Sequence, residues 1–399
     1  MKDILVISNY WHFPKEKASS RYNTIINMFA EQENKVELIT SNFYHTRKQK
    51  RVVNEVFPYK VTLLDERGYR KNISLKRIAS HYNFTKNVLK YLRNRELPDV
   101  IYLFVPPIGL GNKVIEFANH NNIKIVVDVL DLWPEAFKMI LPFPNFVNDI
   151  VLYPMTKRAK KLYSSADRII TVSKTYAKFI EKCTLKNKEV LPVYIGIDVD
   201  LISDLMKRKV TSSNQDFIIS YAGMLGHSYD IKLVIDAISI LSDQYGISNI
   251  VFDIYGIGPQ KEIFENHAKT KKVNCRFKGF KPYHEMLNGL IASDILVNPI
   301  VPNAAQSIIN KHADYAASGR PVLNTQDSDE YCRLLEKYEA GLNSPSGNRV
   351  LLAENLLKLY RDPTLRNKMG ENHRKLCEQN FDRKKTYKDI IDVVMKDSF

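Results

Sequence analysis

Short apolar runs recur along this chain, each followed by a polar turn and a helix-length segment, and the cycle starts twice. Ile4–Ser8, Lys35–Thr40, Val61–Leu64, Val100–Phe104, Lys124–Leu130, Arg168–Val172 and Glu189–Val193 read as strands, with helices near Tyr22–Glu31 and Phe84–Arg93. A polar stretch, Lys207–Gln215, precedes the second cycle. There Phe217–Tyr221, Asn249–Tyr255, Val273–Phe277, Ile295–Asn298 and Pro321–Asn324 read as strands and Ile231–Ser242 as a helix. Strands alternating with helices give a parallel sheet covered on both faces. The class is therefore α/β, and 399 residues are long for one core. Two Rossmann-like halves are expected, residues 1–205 and 206–380, with the basic helical segment of about 381–399 left over.

Composition narrows the classes of function. Cys183, Cys275, Cys332 and Cys377 lie far apart with no C-x-x-C pairing, which points to a reducing compartment and away from structural zinc. The nine histidines show no metal-ligand spacing, so no essential protein-bound metal or other cofactor is expected. The first apolar run is too short for a signal peptide, and no window is apolar enough to span a membrane. The expected location is cytoplasmic, free or at a membrane surface. The net charge is +15, and residues 1–200 hold 32 Lys and Arg against 20 Asp and Glu. A basic first half suggests an anionic partner there. Lys157, Arg158, Lys160 and Lys161, set among Tyr and Leu in YPMTKRAKKLY, suit a helix lying on anionic lipid, or simply a solvated helix face. No nucleic-acid-binding motif accompanies the charge, so no nucleic-acid partner is expected.

The segment Asn310-Lys311-His312-Ala313-Asp314-Tyr315-Ala316-Ala317-Ser318-Gly319-Arg320-Pro321-Val322-Leu323 reads as a short helix, a glycine stop and a buried strand. A helix start in an α/β domain aims its amides at an anion, usually a phosphate. Asp314 can then accept hydrogen bonds from the vicinal hydroxyls of a ribose. The same spacing also suits an ordinary helix–glycine–strand junction. Its wording, however, resembles the donor-site signature of the retaining family 4 glycosyltransferases of GT-B type, in the variant N-K-x-x-(D/E)-Y-x-A-x-G-x-P. Further pieces follow in the family's order. They are Asp131-Leu132-Trp133-Pro134-Glu135, Ala166-Asp167-Arg168-Ile169-Ile170-Thr171-Val172-Ser173, Gly196-Ile197-Asp198, Tyr221-Ala222-Gly223-Met224-Leu225-Gly226, Gly256-Ile257-Gly258-Pro259 and Phe277-Lys278-Gly279.

The resemblance implies two Rossmann-like domains facing across a cleft, with the C-terminal helix crossing back to the first. It implies a bacterial capsular or surface-polysaccharide enzyme moving a hexosyl or N-acetylhexosaminyl group from a nucleotide-diphosphate sugar, with UDP the expected nucleotide. Transfer would proceed with retention to a lipid-linked or saccharide acceptor, at the inner face of the plasma membrane. The implied donor residues are Gly223, Met224, Leu225, Gly256, Gly279, Phe280, Ser307, Ile308, Asn310, Lys311 and Asp314. Asp131 and Gln306 are the implied catalytic pair, and Arg21 is a phosphate ligand on the acceptor side or one half of a surface ion pair. Many members place an Arg beside the Gly223 position, a Lys about five residues later and a Glu eight before Asp314. This chain has Met224, Tyr229 and Gln306 there. Lys311, His227 and Arg320 are the candidates to compensate. A non-catalytic sugar-nucleotide binder and a UDP-N-acetylglucosamine 2-epimerase-like enzyme remain alternatives.

Overall fold

The structure, a computed structural model, describes the chain except residues 15–19, 54, 139–140, 142–143, 185–187, 208–215, 303–306 and 397–399. It divides into two units, Met1–Tyr194 with Thr386–Phe399, and Ile195–Lys385.

Unit 1 is built on β1 (Asp3–Ser8), β2 (Lys35–Ser41), a small hairpin of β3 (Phe43–Tyr44) and β4 (Gln49–Lys50), then β5 (Lys60–Leu64), β6 (Val100–Val105), β7 (Lys124–Val129), β8 (Arg168–Thr171) and β9 (Val190–Pro192). Outside the hairpin the strands form one parallel sheet in the order β5-β2-β1-β6-β7-β8-β9. Side chains alternate across a strand, and both faces here are apolar. Leu5, Ile7, Ile101, Leu103, Ile125 and Val127 pack with Phe84, Val88 and Leu92 of helix Leu75–Arg93 and with helix Ile108–His120. Ile4, Val6, Val100, Tyr102, Phe104 and Val126 face the other way, onto Ile25, Ile26 and Phe29 of helix Arg21–Glu31. The same face takes Ile390, Ile391 and Val394 of helix Lys388–Met395. The chain thus returns to unit 1 at its end.

Unit 2 carries β10 (Phe217–Ala222), β11 (Ile250–Tyr255), β12 (Cys275–Gly279), β13 (Ile295–Asn298), β14 (Val322–Asn324) and β15 (Gly341–Asn343). These are parallel too, ordered β12-β11-β10-β13-β14-β15. In both sheets the order reverses beside the first strand, and open α/β sheets bind ligands outside the carboxyl ends near such a switch. The boundary falls at residue 195 rather than near 205. Ile197 donates to and accepts from the backbone of Phe381 and Arg383, which ties 195–207 to unit 2. Most of the expected linker, from 208 on, lies outside the described residues.

Arg21 has a different task from the one expected. It opens helix Arg21–Glu31 behind the Ser20 cap, and its side chain is buried at 3% exposure. Nε donates to Asp128 Oδ2 at 2.8 Å and Nη2 to Oδ1 at 3.1 Å, while Nη1 serves the carbonyls of Val193 and Tyr194. Tyr102 donates its hydroxyl to the same carboxylate at 2.7 Å. A guanidinium spent this way is neither a phosphate ligand nor half of a surface pair. It ties the start of the first helix to β7 and to the chain leaving β9. Removing one partner of a buried pair strands the other charge, at a cost of about 3–5 kcal/mol. Arg21→Met should lower unfolding stability on that scale in urea titrations; a loss below about 1 kcal/mol would mean the pair is dispensable.

Candidate functional site

The expected donor residues of unit 2 converge on the carboxyl ends of β10, β11 and β12. The strand ends are laced by backbone. Gly223 N–H donates to Tyr255 O and Gly256 N–H to Gly279 O, both at 2.9 Å. Gly256, at φ +149°, packs so closely that a Cβ would overlap the carbonyl oxygen of Gly223. Gly223, at φ +154°, leaves room for two polar atoms: a Cβ there would stand 2.7 Å from Tyr221 Oη and 3.3 Å from Lys311 Nζ. The amides of Gly223 and Gly256 are therefore consumed within the protein. What they leave at this end of the sheet is space rather than free N–H groups.

Leu225 is likewise structural. Its side chain is buried in the core, its N–H donates to Ile257 O and its carbonyl accepts from Gln260 N–H. Met224 and Phe280 are exposed at this end of the sheet, beyond Gly223 and Gly279. Tyr221 Oη donates to Met224 O at 2.9 Å and so closes the turn between them.

Helix Asn310–Ala317 brings the rest. Tyr315 of the motif receives the N–H of Ala222 on its hydroxyl at 2.9 Å, which seats the helix on the end of β10. His312 stacks on Tyr331 with ring centroids 3.6 Å apart, and its Nε2 meets Asn298 Nδ2 at 3.2 Å. Burial pushes its imidazole well below the usual histidine range, so it is a neutral core ring. Asn310 is exposed at the helix start. Ser307 donates its hydroxyl to Glu330 at 3.1 Å, and Ile308 is buried. Asp314, a turn into the helix, accepts a 2.6 Å hydrogen bond from Tyr283, whose hydroxyl burial and this carboxylate push far up. Sequence reading passed over Tyr283, because a tyrosine at a helix start carries no signal of its own. Lys311 is buried, with Nζ over the rings of Tyr221 at 4.3 Å and Tyr229 at 4.0 Å. Gln306 lies outside the described residues.

Of the proposed compensating cations, Arg320 turns away, its Nε donating to Ile291 O, and the exposed His227 sits by Gln260. Only Lys311 of the three stands beside Gly223.

In unit 1, Asp131 follows β7 and accepts the indole N–H of Trp133 at 3.1 Å. Burial raises its carboxyl above the usual range. A cluster that the sequence did not announce lies alongside. Arg77 stands 5.1 Å from the Trp133 ring, 5.5 Å from Tyr69 and 5.9 Å from Tyr10, and donates to Tyr10 Oη at 2.8 Å. Tyr10 Oη also meets His81 Nε2 at 2.9 Å. Burial and the Arg77 charge lower His81 to about 3, and burial with Lys48 and Arg77 lowers His45 to about 4, so both rings are neutral near pH 7. A planar cation among aromatic rings, with neutral imidazoles and a carboxylate nearby, suits a polyhydroxylated ligand.

Lys157, Arg158, Lys160 and Lys161 are all exposed on helix Asn145–Ser165. Lys161 pairs with Glu116 at 2.9 Å. Upstream on the same helix Phe146, Ile150, Val151 and Tyr153 are 69%, 70%, 55% and 64% exposed.

Residues 203–376, within unit 2, match the model of the family described as glycosyl transferases group 1. No curated protein matches the chain. Among solved structures the chain is similar to HepE of Anabaena in complex with UDP (14% identity, 98% of this chain and 99% of that one covered, TM-score 0.70). It is also similar to sucrose-phosphate synthase of Thermosynechococcus elongatus (15%, 98% of each, 0.74) and to WaaG, a glycosyltransferase involved in lipopolysaccharide biosynthesis (15%, 98% and 99%, 0.65). The fold is GT-B, and the family match in unit 2 supports a glycosyltransferase.

The lacing of strand ends gives a direct test. Gly256→Ala should destabilise unit 2 by about 1–3 kcal/mol, the scale for overpacking, because the added methyl has no place beside Gly223 O. Urea unfolding measures it, and an unchanged midpoint would show that the strand ends separate freely.

Proposed function

We propose that this chain is a glycosyltransferase using a UDP-sugar, with unit 2 holding the donor and unit 1 the acceptor. The observation that carries the reading is the helix of the N-K-x-x-D-Y motif, seated by Tyr315 on the end of β10, with Lys311 beside Gly223 and Asp314 held by Tyr283. HepE, similar in fold, has been solved with UDP and with UDP-glucose. A nucleotide sugar brings a ribose diol and two phosphates. Asp314 is the ribose acceptor, its carboxylate held by Tyr283. The open turn at Gly223 takes the diphosphate. Exposed Phe280, after Gly279, lies against the base. Transfer with retention uses the donor's own phosphate to assist deprotonation of the acceptor hydroxyl, with no protein-bound metal in the reading.

On unit 1, Asp131 orients a reacting hydroxyl, and the Arg77, Trp133 and Tyr10 cluster receives the acceptor sugar. The acceptor is a lipid-linked or saccharide chain of bacterial surface-polysaccharide biosynthesis. Its lipid would be met by helix Asn145–Ser165. Phe146, Ile150 and Tyr153 recur at helical spacing with Lys157 and Lys161, so apolar and basic groups follow one another along one stripe. Among the described residues Lys157, Arg158 and Lys160 make no ion pair, which leaves their charge for an anionic surface.

Titration calorimetry tests the donor. UDP should bind, and Asp314→Ala should weaken it by about 1.5–3 kcal/mol, the scale for a hydrogen bond to a charged group. An unchanged dissociation constant in a folded variant would remove Asp314 from the site; turnover of no UDP-sugar by the wild type would favour a binding protein.

Sedimentation with vesicles tests the location. Binding to anionic lipid should fall as salt rises, because each basic group near the surface is worth about 1 kcal/mol and is screened within a Debye length. Replacing the four cations by Ser, or Phe146, Ile150 and Tyr153 by Ser, should weaken it. Indifference to both sets would assign the basic half another partner.

A further inference from the structure

Lys311 is the second residue of its helix, yet its side chain turns inward. Nζ is buried and has no hydrogen-bond partner, and no carboxylate lies within ion-pair distance of it among the described residues. Among the described residues, the groups that face it are Tyr221 from β10, Tyr229 from the loop that follows, and His312, its neighbour in the helix; Asp314 and Tyr315 lie further along the same helix. Asp314 is engaged by Tyr283, His312 by Asn298 and Tyr315 by the N–H of Ala222. The two ring faces favour a cation but supply no counter-charge. Burial without a counter-charge pushes the ammonium well below the ordinary lysine range. An amine without a partner among the described residues, its charged form disfavoured by burial, therefore stands at the Gly223 turn, where a Cβ would come within 3.3 Å of it. The amides of Gly223 and Gly256, being spent on Tyr255 O and Gly279 O, cannot neutralise an anion that enters there.

We infer that Lys311 is the cation that receives the donor's diphosphate, and that it takes up a proton from solvent as the diphosphate enters. This rests on the nucleotide-sugar reading of the same site. The diphosphate supplies the counter-charge that the protein omits, so the protonated form becomes the stable one in the complex, and the two tyrosine rings then hold the ammonium in place. By linkage, a group that gains a proton on binding makes affinity fall as pH rises between its free and bound pKa values. Donor capture and proton uptake are one event at Lys311.

Calorimetry with UDP, repeated in buffers of different ionisation enthalpy, reads the protons exchanged. It is run from pH 7.5 to 9, where the terminal phosphate, with a second pKa of about 6, is already ionised. The wild type should take up close to one proton per UDP, and its affinity should fall by up to about tenfold per pH unit. Lys311→Met should lose the uptake and the pH slope and bind UDP at least about tenfold more weakly. It should melt no lower than the wild type, because it replaces an unpaired buried amine by an apolar group of similar length. UDP binding without proton exchange would overturn the inference while leaving the donor reading intact, as would a Lys311→Met protein with unchanged affinity. No UDP binding by the wild type at any of these pH values would overturn both.

Discussion

The carboxyl end of the unit 2 sheet depends on how closely β10 and β11 approach. The lack of a Cβ on Gly256 lets the Gly223 carbonyl sit against it, and backbone hydrogen bonds then run from Gly223 to Tyr255 and from Gly256 to Gly279. This lattice fixes the Gly223 turn, which Tyr221 closes through Met224 O. A fixed turn in turn allows Tyr315 to dock on Ala222 and to set the helix of Lys311 and Asp314 at one position. Sites built on strand ends and helices in this way are held more precisely than sites on loops. The glycines serve the ligand indirectly, by what they allow the neighbouring side chains to reach.

Arg21 and Lys311 show how differently a buried basic group can be handled in one chain. Arg21 is matched by Asp128 and two carbonyls, with Tyr102 completing the carboxylate. Such a group has nothing left to offer a ligand. Lys311 is matched, among the described residues, by two aromatic rings and no hydrogen-bond partner. An uncompensated buried amine costs stability, where a matched one need not. The contrast separates a fully paired side chain from an unpaired one on geometry, where sequence offered both as phosphate ligands.

The fold was legible in the sequence because short continuous apolar runs flanked by turn residues and alternating with helix-length segments leave few other readings. The strands came within a residue or two at most positions. Helix Leu75–Arg93 was read only from Phe84, since Leu75, Ile78 and Tyr82 are exposed and break the apolar stripe; its true start is the Ser74 cap. In the site, Asp314 and Lys311 were visible because a local motif carries them. Arg21 was misread because its partner lies 107 residues away, and an arginine after a polar loop looks the same with or without one. The tyrosine rings around Lys311 and the Arg77 cluster were not visible for the same reason: tertiary packing assembles each of them from separate stretches of chain.

The same architecture occurs twice, yet the two sets of strand ends are lined by different chemistry. In unit 2 the lining is glycine, one unpaired amine and one carboxylate, which suits a ligand with anionic and diol parts. In unit 1, among the described residues, it is aromatic rings and two neutral histidines with Arg77, Lys48 and the Asp131 carboxylate near them, a more mixed and more aromatic set. The excess of basic residues in the first half therefore does not describe the strand ends of unit 1. Part of it sits on helix Asn145–Ser165, exposed and following a run of exposed apolar residues. Net charge reports on association with large charged surfaces, whereas the chemistry of a site is set by the few groups that burial has singled out.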